Sequence, residues 1–259
     1  MSTVSQQRLR AEFLRLKKQA LRVKLYQHPE LYDLAYPGPV GDVAFYRRHA
    51  RPGAVLYLGV GTGRVFAEIA TRNPRLMGLD YSRPMLAAIK TRHPGLRTRL
   101  REGSVLDRGL YEVASFDRIL APHSFFTQFA ESALTQALGN CRRWLKPTGQ
   151  LVTDNFSPFW NPPPSKPLEL YRRRHGQNFA VATYIEYDPL GQESREWNFF
   201  RRRAHRQLLV APITLRYYYP AEFARILRAA GFEQVKLQGG FAGAPLSLQS
   251  RELIYIARA

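Results

Sequence analysis

Residues 54–64 read Ala54-Val55-Leu56-Tyr57-Leu58-Gly59-Val60-Gly61-Thr62-Gly63-Arg64, and the order of residue types there decides the fold. A short apolar run without polar alternation is the pattern of a strand in a parallel sheet covered on both faces. Glycines at 59, 61 and 63 follow at once. Glycine is needed where the chain turns tightly and where the backbone must approach a ligand with no Cβ in the way. A dinucleotide-binding fingerprint would put glycine or alanine at position 64, but Arg64 stands there and the glycine comes one residue sooner.

Working outward, short apolar strands alternate with helices, which predicts a doubly wound α/β sheet. The helix after the glycine turn is expected over 64–72 and the second strand over Leu76 to Asp80. Ser82 can cap the next helix, with Pro84 in its first turn. Further strands are expected over 97–102, 116–121 and 150–154, with a helix over 133–145 that stops at Lys146-Pro147-Thr148-Gly149. The pattern then breaks at a proline-rich stretch, 156–165. Strand-like runs over 179–188 and 194–215, joined through Asp188-Pro189-Leu190-Gly191, predict an antiparallel insertion over 156–219. Regular α/β structure resumes with a helix over 220–230 and strands over 232–237 and 253–257.

Upstream, Leu9, Phe13, Leu16, Ala20, Val23 and Leu25 recur at near-helical spacing, so 6–26 reads as an amphipathic helix with a basic outer face. Pro29, Pro37, Gly38 and Pro39 predict turns around Leu31-Tyr32-Asp33-Leu34-Ala35-Tyr36. The domain expectation is a helical cap over 1–50 and one α/β domain over 51–259 that carries the insertion.

Composition narrows the function classes. The lone Cys141 excludes an internal disulfide framework and a metal site built from several thiolates. No metal is expected. The N-terminus has no apolar core or cleavage signal, and no run reaches membrane-spanning length, so the expected location is cytoplasmic. The net charge of +19 would suit a polyanion such as RNA. Its distribution argues otherwise: only seven of the 39 basic residues are lysine, and arginine is raised along the whole chain. The runs Arg172-Arg173-Arg174 and Arg201-Arg202-Arg203 are the densest, and a solvated surface is the commoner meaning of such runs. A nucleic-acid partner is disfavoured.

Chemistry gathers at the expected strand ends. Asp80 closes the second strand, where its carboxylate can accept hydrogen bonds from both hydroxyls of a ribose. Gly103-Ser104-Val105-Leu106-Asp107 ends the third, where a backbone amide and a small hydroxyl can read an adenine edge. Together with the glycine turn, these ends make a nucleoside site.

In this order the motifs resemble those of the class I S-adenosylmethionine (SAM)-dependent methyltransferases. Residues 55–64 are similar to that family's first motif, Gly78-Leu79-Asp80-Tyr81-Ser82 to its second and Glu102 to Asp107 to its third. Phe116 to Pro122 stands at the fourth, and Leu145 to Leu151 is similar to the turn into strand five. The Tyr32 to Tyr36 stretch, the insertion and Tyr217-Tyr218-Tyr219-Pro220 most resemble small-molecule N- and O-methyltransferases, including those acting on sugar amines. The resemblance implies a mostly parallel seven-stranded sheet and SAM as cofactor. Gly59, Gly61 and Gly63 would surround its methionine portion and Asp80 its ribose, with Ser104 and Val105 facing the adenine. Tyr81 and Met85 would pack beside that ring, and the Ala121 carbonyl would take the amino group. Two positions depart from the pattern: Tyr57 replaces the usual Asp or Glu, and Ser104 replaces a frequent Asp.

On the acceptor side, His123 lies just past the fourth strand, where a base is useful if the acceptor arrives protonated, and an imidazole has an ordinary pKa suited to that work. Tyr32 and Tyr36 could close over the cofactor or pack the N-terminal helix. Trp160 and Trp197 in the insertion, with Arg216 and Tyr217 at its exit, could enclose an acceptor, and the insertion could equally form a homodimer interface. The expected function is methyl transfer to N or O of a small-molecule acceptor. Its alternatives are an RNA methyltransferase, for which no Asn-Pro-Pro-Tyr type motif follows strand four, and a SAM-binding protein without catalysis.

Overall fold

The computed structural model describes residues 3–50, 53–159, 168–175, 179–202 and 207–259, so Trp160 and Arg203 lie outside the described residues. Helix α1 (Thr3–Gln19) buries Phe13 and Leu16 on one face. It is shorter than the apolar spacing predicted, because Leu21–Arg22 leaves the helix to pair as strand β1 and Leu25–Gln27 forms a 3₁₀ turn. The stretch expected as turns is helix α2 (Pro29–Ala35): Pro29 sits at its start, where a fixed φ and a missing N–H cost nothing. Helix α3 (Asp42–His49) follows Gly41, which has a φ of +91°.

The regular α/β run comprises β2 (Val55–Leu58), α4 (Phe66–Ala70), β3 (Leu76–Asp80) and α5 (Arg83–Arg92), the last capped as predicted by Ser82, whose Oγ accepts the Met85 N–H at 3.4 Å. A 3₁₀ segment, Pro94–Arg99, takes most of the expected third strand, leaving β4 (Leu100–Glu102), an edge strand that meets β3 over three residues only. Strand β5 (Phe116–Ala121), helix α6 (Glu131–Trp144) and the long strand β6 (Leu145–Phe156) follow. Strand β6 begins earlier than expected because Leu145 still pairs with Phe116, across an irregularity that absorbs Lys146-Pro147-Thr148-Gly149. The chain continues through β7 (Leu168–His175), β8 (Phe179–Asp188), β9 (Glu193–Arg202), β10 (Leu208–Arg216), α7 (Pro220–Ala229), β11 (Val235–Gly239) and β12 (Glu252–Arg258).

These elements form two compact units. The first joins Met1–Pro37 to Pro162–Arg216, so the N-terminal segment and the insertion make one body. Its sheet has the order β1-β10-β9-β8-β7, antiparallel except where β1 joins β10 in parallel. Phe13 of α1 packs on Tyr184, Trp197 and Phe199, while Leu31 and Ala35 of α2 join Val181, Phe200 and Ala211.

The second unit joins Gly38–Asn161 to Tyr217–Ala259. Its seven-stranded sheet runs β11-β12-β6-β5-β2-β3-β4, with β4, β3, β2, β5 and β6 parallel and β12 antiparallel to both neighbours. One face buries Trp144, Leu138, Phe223 and Tyr255, and the other Tyr46, Val55, Phe66 and Ile254. Each large apolar side chain so buried contributes on the order of 1.5–3 kcal/mol before chain entropy is set against it. The strand order reverses between β2 and β5, and the crevice outside the carboxyl ends at such a point is where open α/β sheets bind ligands.

Candidate functional site

The glycine turn leaves β2 at this crevice, with Gly59, Gly61 and Gly63 at φ of +66°, +56° and +95°. The turn is tied to the next strand by the Gly59 N–H, which donates to the Leu79 carbonyl at 2.8 Å. A Cβ on Gly59 would stand 2.7 Å from the Phe125 ring, and one on Gly63 2.5 Å from Ile89. These glycines therefore let the residues behind the turn close up to its backbone as well as bending it.

Asp80, at the end of β3, is buried, and its carboxylate bridges two elements. Oδ2 accepts the Gly61 N–H at 2.7 Å and Oδ1 the Ser82 N–H at 2.8 Å. Burial raises its pKa above the ordinary carboxylate value, against the opposing pull of the Ser82, Gly61 and Tyr81 backbone N–H groups. Three N–H donors leave this carboxylate part of its acceptor capacity. Beside it the Tyr81 ring is 58% exposed, an uncovered aromatic surface at the rim. Met85 lies buried below the rim at the start of α5. Past β4, Ser104 Oγ accepts the Leu106 N–H at 3.1 Å, Val105 is buried, and the Gly103 N–H returns to the Asp80 carbonyl at 3.1 Å. Glycine turn, carboxylate, exposed tyrosine and third strand end thus converge at one sheet edge.

These residues fit the adenosyl half of SAM. Asp80 would accept from the ribose, the exposed Tyr81 would lie beside the adenine, and the turn brings backbone close without Cβ atoms. At the methionine end the carbonyl of Ala121, in register with Thr153, accepts the Thr153 hydroxyl at 2.7 Å. Tyr57 is buried edge-on against Phe66, so it fills core space where the family pattern has a carboxylate. A carboxylate does reach the turn from elsewhere. Asp42, buried at the start of α3, receives both Nη atoms of Arg64 and the Val43 N–H. The motif spacing carries no signal for Asp42.

After β5 the chain makes a tight turn in which His123 and Ser124 have φ of +59° and +54°, an uncommon conformation for residues with a Cβ. His123 is half-buried as a residue, and its pKa is lowered to about 4. Loss of hydration is the main cause, the Arg64 guanidinium adds to it, and Asp42 opposes it. This corrects the expectation of an ordinary imidazole titrating near neutrality: at physiological pH the ring is neutral. Asp154, near the end of β6, is buried under the same turn. It accepts the His123 N–H at 2.8 Å, the Ser124 N–H at 3.0 Å and the Tyr46 hydroxyl at 2.5 Å. Asp154 and Tyr46 were not expected from the motifs, although a carboxylate closing a central strand is a readable signal.

The remaining expected residues are distributed differently. Tyr32 and Tyr36 stack at 5.3 Å within the first unit, where the Tyr36 hydroxyl donates to Glu196 at 2.5 Å and accepts from Asn198 at 3.0 Å. Trp197, expected at the acceptor, is instead a core residue of that unit. Its indole N–H donates to Glu186 at 2.7 Å, and Lys17 Nζ lies 3.8 Å from its ring centre. Strand alternation turns it toward α1, which spacing within the insertion alone could not reveal. Arg216 ends β10, opposite Glu193, and Tyr217 is buried in the second unit beside Tyr219. Cys141 is buried in α6, which pushes its thiol pKa up. Among the described residues no cluster of His, Cys, Asp and Glu could hold a metal, and no helix is long and apolar enough to cross a membrane.

Residues 55–149 match the methyltransferase-domain family. The chain is 28% identical to the cypemycin N-terminal methyltransferase of Streptomyces sp, over 88% of this chain and 94% of that protein. Among solved structures it is similar to the CcbJ methyltransferase of Streptomyces caelestis, with a TM-score of 0.74 at 23% identity over 86% of this chain and 97% of that one. It is also similar to SAM-bound CalS10, an amino pentose methyltransferase of Micromonospora echinaspora, with a TM-score of 0.66 at 23% identity over 89% and 97%.

Proposed function

We propose that this chain, a member of the class I SAM-dependent methyltransferases, transfers a methyl group to an N or O atom of a small-molecule acceptor, an amine nitrogen being the preferred target. The observation that carries this reading is the cradle of Gly59, Gly61, Gly63, Asp80 and Tyr81 at the β2/β5 reversal, with a neutral imidazole on the turn that follows β5. Preference for an amine is supported by two relatives whose names specify such substrates, a peptide N-terminus and an amino pentose.

SAM supplies an electrophilic methyl group on a sulfonium, and its transfer is an in-line displacement that needs alignment more than covalent help. The glycine turn and the Ala121 carbonyl hold the methionine end, Asp80 the ribose, and Tyr81, Met85, Ser104 and Val105 the adenine. An ammonium acceptor must lose a proton before its nitrogen can attack. We assign that proton to His123, which is neutral above about pH 4. Tyr217 is proposed to contact the acceptor. The first unit, which carries Tyr32, Tyr36, Trp197 and Arg216, would serve as a lid or as a homodimer interface. A cytoplasmic site of action is part of the same proposal.

The test is a screen of amines, phenols and carboxylates with radiolabelled SAM, including a short peptide with a free N-terminus and an amino sugar. Label transferred to an amine supports the reading, and label confined to phenols or carboxylates replaces it. Failure of SAM and S-adenosylhomocysteine to bind in titration calorimetry would reject the cofactor site itself.

A further inference from the structure

Asp154 spends its carboxylate on three donors from two separate elements: the Tyr46 hydroxyl of α3 and two successive backbone N–H groups of the turn after β5. Both residues that present those N–H groups, His123 and Ser124, are in the left-handed region. Each such residue is strained, and the conformation persists only where its surroundings over-determine it. The same turn is fastened a second time by Ser124 Oγ, which accepts the Phe156 N–H at 3.0 Å. A charge buried this deeply is itself costly, and an apolar strand end would avoid that cost.

We propose that Asp154 is a positioning residue, fastened by Tyr46, which holds the His123-Ser124 turn in its left-handed form and thereby presents the His123 side chain to the methyl-transfer site. This deepens the reading of His123 as the proton acceptor and rests on it. Asp154 acts through the turn and receives no proton from the acceptor.

The charged and titratable groups around Asp154 are Tyr46 and Asp42 from α3, His123 from the turn and Arg64 at the exit of the glycine turn. Its strand neighbours in register are hydrophobic Ile254 of β12 and, one residue along, Ala121 of β5. Burial raises the Asp154 carboxyl to about 6, with the Coulombic influence of Asp42 adding to it and the bonds from Tyr46, Ser124 and His123 opposing it. Tyr46 is pushed well above the ordinary phenol range and His123 down to about 4, so neither shares the titration of Asp154 near pH 6. Protonation there removes acceptor capacity from a carboxylate that serves three donors. Because its folded pKa is raised, its ionised form costs stability as pH rises through about 6, so Asp154→Asn should keep its thermal midpoint at pH 7.5.

The test uses the whole protein, with S-adenosylhomocysteine as the binding probe and amide hydrogen exchange of residues 121–126 as the readout of the turn. In Asp154→Asn the amide nitrogen faces one of the three donors, and Tyr46→Phe removes the fastening hydroxyl. Loss of such a bond corresponds to roughly tenfold faster exchange at the turn. Probe affinity should stay within about twofold, since neither residue lies among those proposed to hold the cofactor. In wild type, protection corrected for intrinsic exchange should fall as pH drops through about 6, and in Asp154→Asn that step should be absent. With an amine turned over in the screen, both variants should lose kcat about tenfold or more with KM for SAM unchanged. If His123→Asn keeps its turnover while Asp154→Asn still frees the turn, the latch stands and the proton-acceptor reading falls. Unchanged exchange at 121–126 in both variants, or a pH step that persists in Asp154→Asn, overturns the proposal.

Discussion

The Gly61 N–H donates to Asp80 Oδ2 at 2.7 Å, so the middle glycine of the first motif is fastened to the carboxylate that ends the second. The bond makes two sequence motifs a single structural object, with the acid shaping the turn that it is proposed to complete as a ligand site. Asp80→Ala should therefore weaken SAM binding by more than the ribose bonds alone. The ribose bonds to a charged group are worth about 1.5–3 kcal/mol, and release of the Gly61 and Ser82 N–H groups adds to that. Asp80→Asn, which keeps one acceptor oxygen, should lose less. Titration calorimetry with SAM measures both, and equal affinity for wild type and Asp80→Ala would show that the site has been misplaced.

Gly59 tests the turn from the other side. Its φ of +66° disfavours any side chain, and a Cβ there meets Phe125 at 2.7 Å. Gly59→Ala should lower stability by at least about 1 kcal/mol. Part of that loss comes from the ring and part from the backbone. Adding Phe125→Ala should therefore recover the ring's share, giving a double variant more stable than the sum of the two single effects predicts. Strictly additive denaturation midpoints would place the whole cost in the backbone.

Asp117 holds the start of the sheet through Lys146 Nζ at 2.7 Å and the Ala54 N–H at 2.8 Å. The Lys146 bond, as the main cause, keeps its carboxyl below the usual value, although desolvation opposes it. A depressed folded pKa means that this stabilisation is present above the unfolded value of about 3.9 and is lost as pH falls through the folded one. Both side chains are about one-third exposed, 37% for Lys146 and 35% for Asp117, so solvent screens the pair and the effect is modest. Thermal midpoints measured from pH 7 to pH 2.5 should fall less steeply below about pH 4 in Asp117→Asn than in wild type. Parallel curves would remove the pair from the acid response.

The charge of +19 makes its own prediction. A diffuse arginine excess gives weak binding to single-stranded and duplex RNA alike, falling steeply with salt. Submicromolar affinity for one defined RNA at physiological salt would promote an RNA acceptor over a small molecule.

What could be read before the structure was local or strictly periodic. The apolar runs ending at Leu58, Asp80 and Ala121 set the strands, and the glycine spacing put the turn beside Asp80 at one sheet edge. Ser82 as a cap is likewise a short-range feature. The other half depends on contacts that spacing cannot carry. Tyr46 meets Asp154 across more than a hundred residues of chain, and Asp42 meets Arg64 across a turn from another helix. Trp197 looked like an acceptor contact because it is a large aromatic in an insertion. Strand alternation buries it under α1 and Lys17 instead. Likewise, the sequence supplies an imidazole at 123 but not its surroundings, and those surroundings set its pKa.

His123 bears the last prediction. Its turn lies at the carboxyl edge of the sheet, the residue is half-buried, and desolvation, with Arg64 adding to it, keeps the imidazole neutral down to about pH 4. A neutral imidazole can take a proton from an ammonium acceptor before its nitrogen attacks, or from a hydroxyl as the methyl group moves, and general-base catalysis is typically worth about 10² to 10⁴-fold. Asparagine at this position keeps some hydrogen bonding and removes the base. His123→Asn should therefore bind SAM almost as wild type does and lose kcat by about a hundredfold or more at neutral pH. The sign of the pKa shift fixes the pH dependence. Because the folded value is lowered, the imidazolium becomes dominant only below about pH 4, and the part of the wild-type acid limb that belongs to His123 should fall there and not near 6.5. A limb near pH 6 that survives in His123→Asn and vanishes in Asp154→Asn would belong to the carboxylate beneath the turn. Full turnover in His123→Asn would leave alignment of acceptor, methyl and sulfur as the source of the rate, with no base in the mechanism.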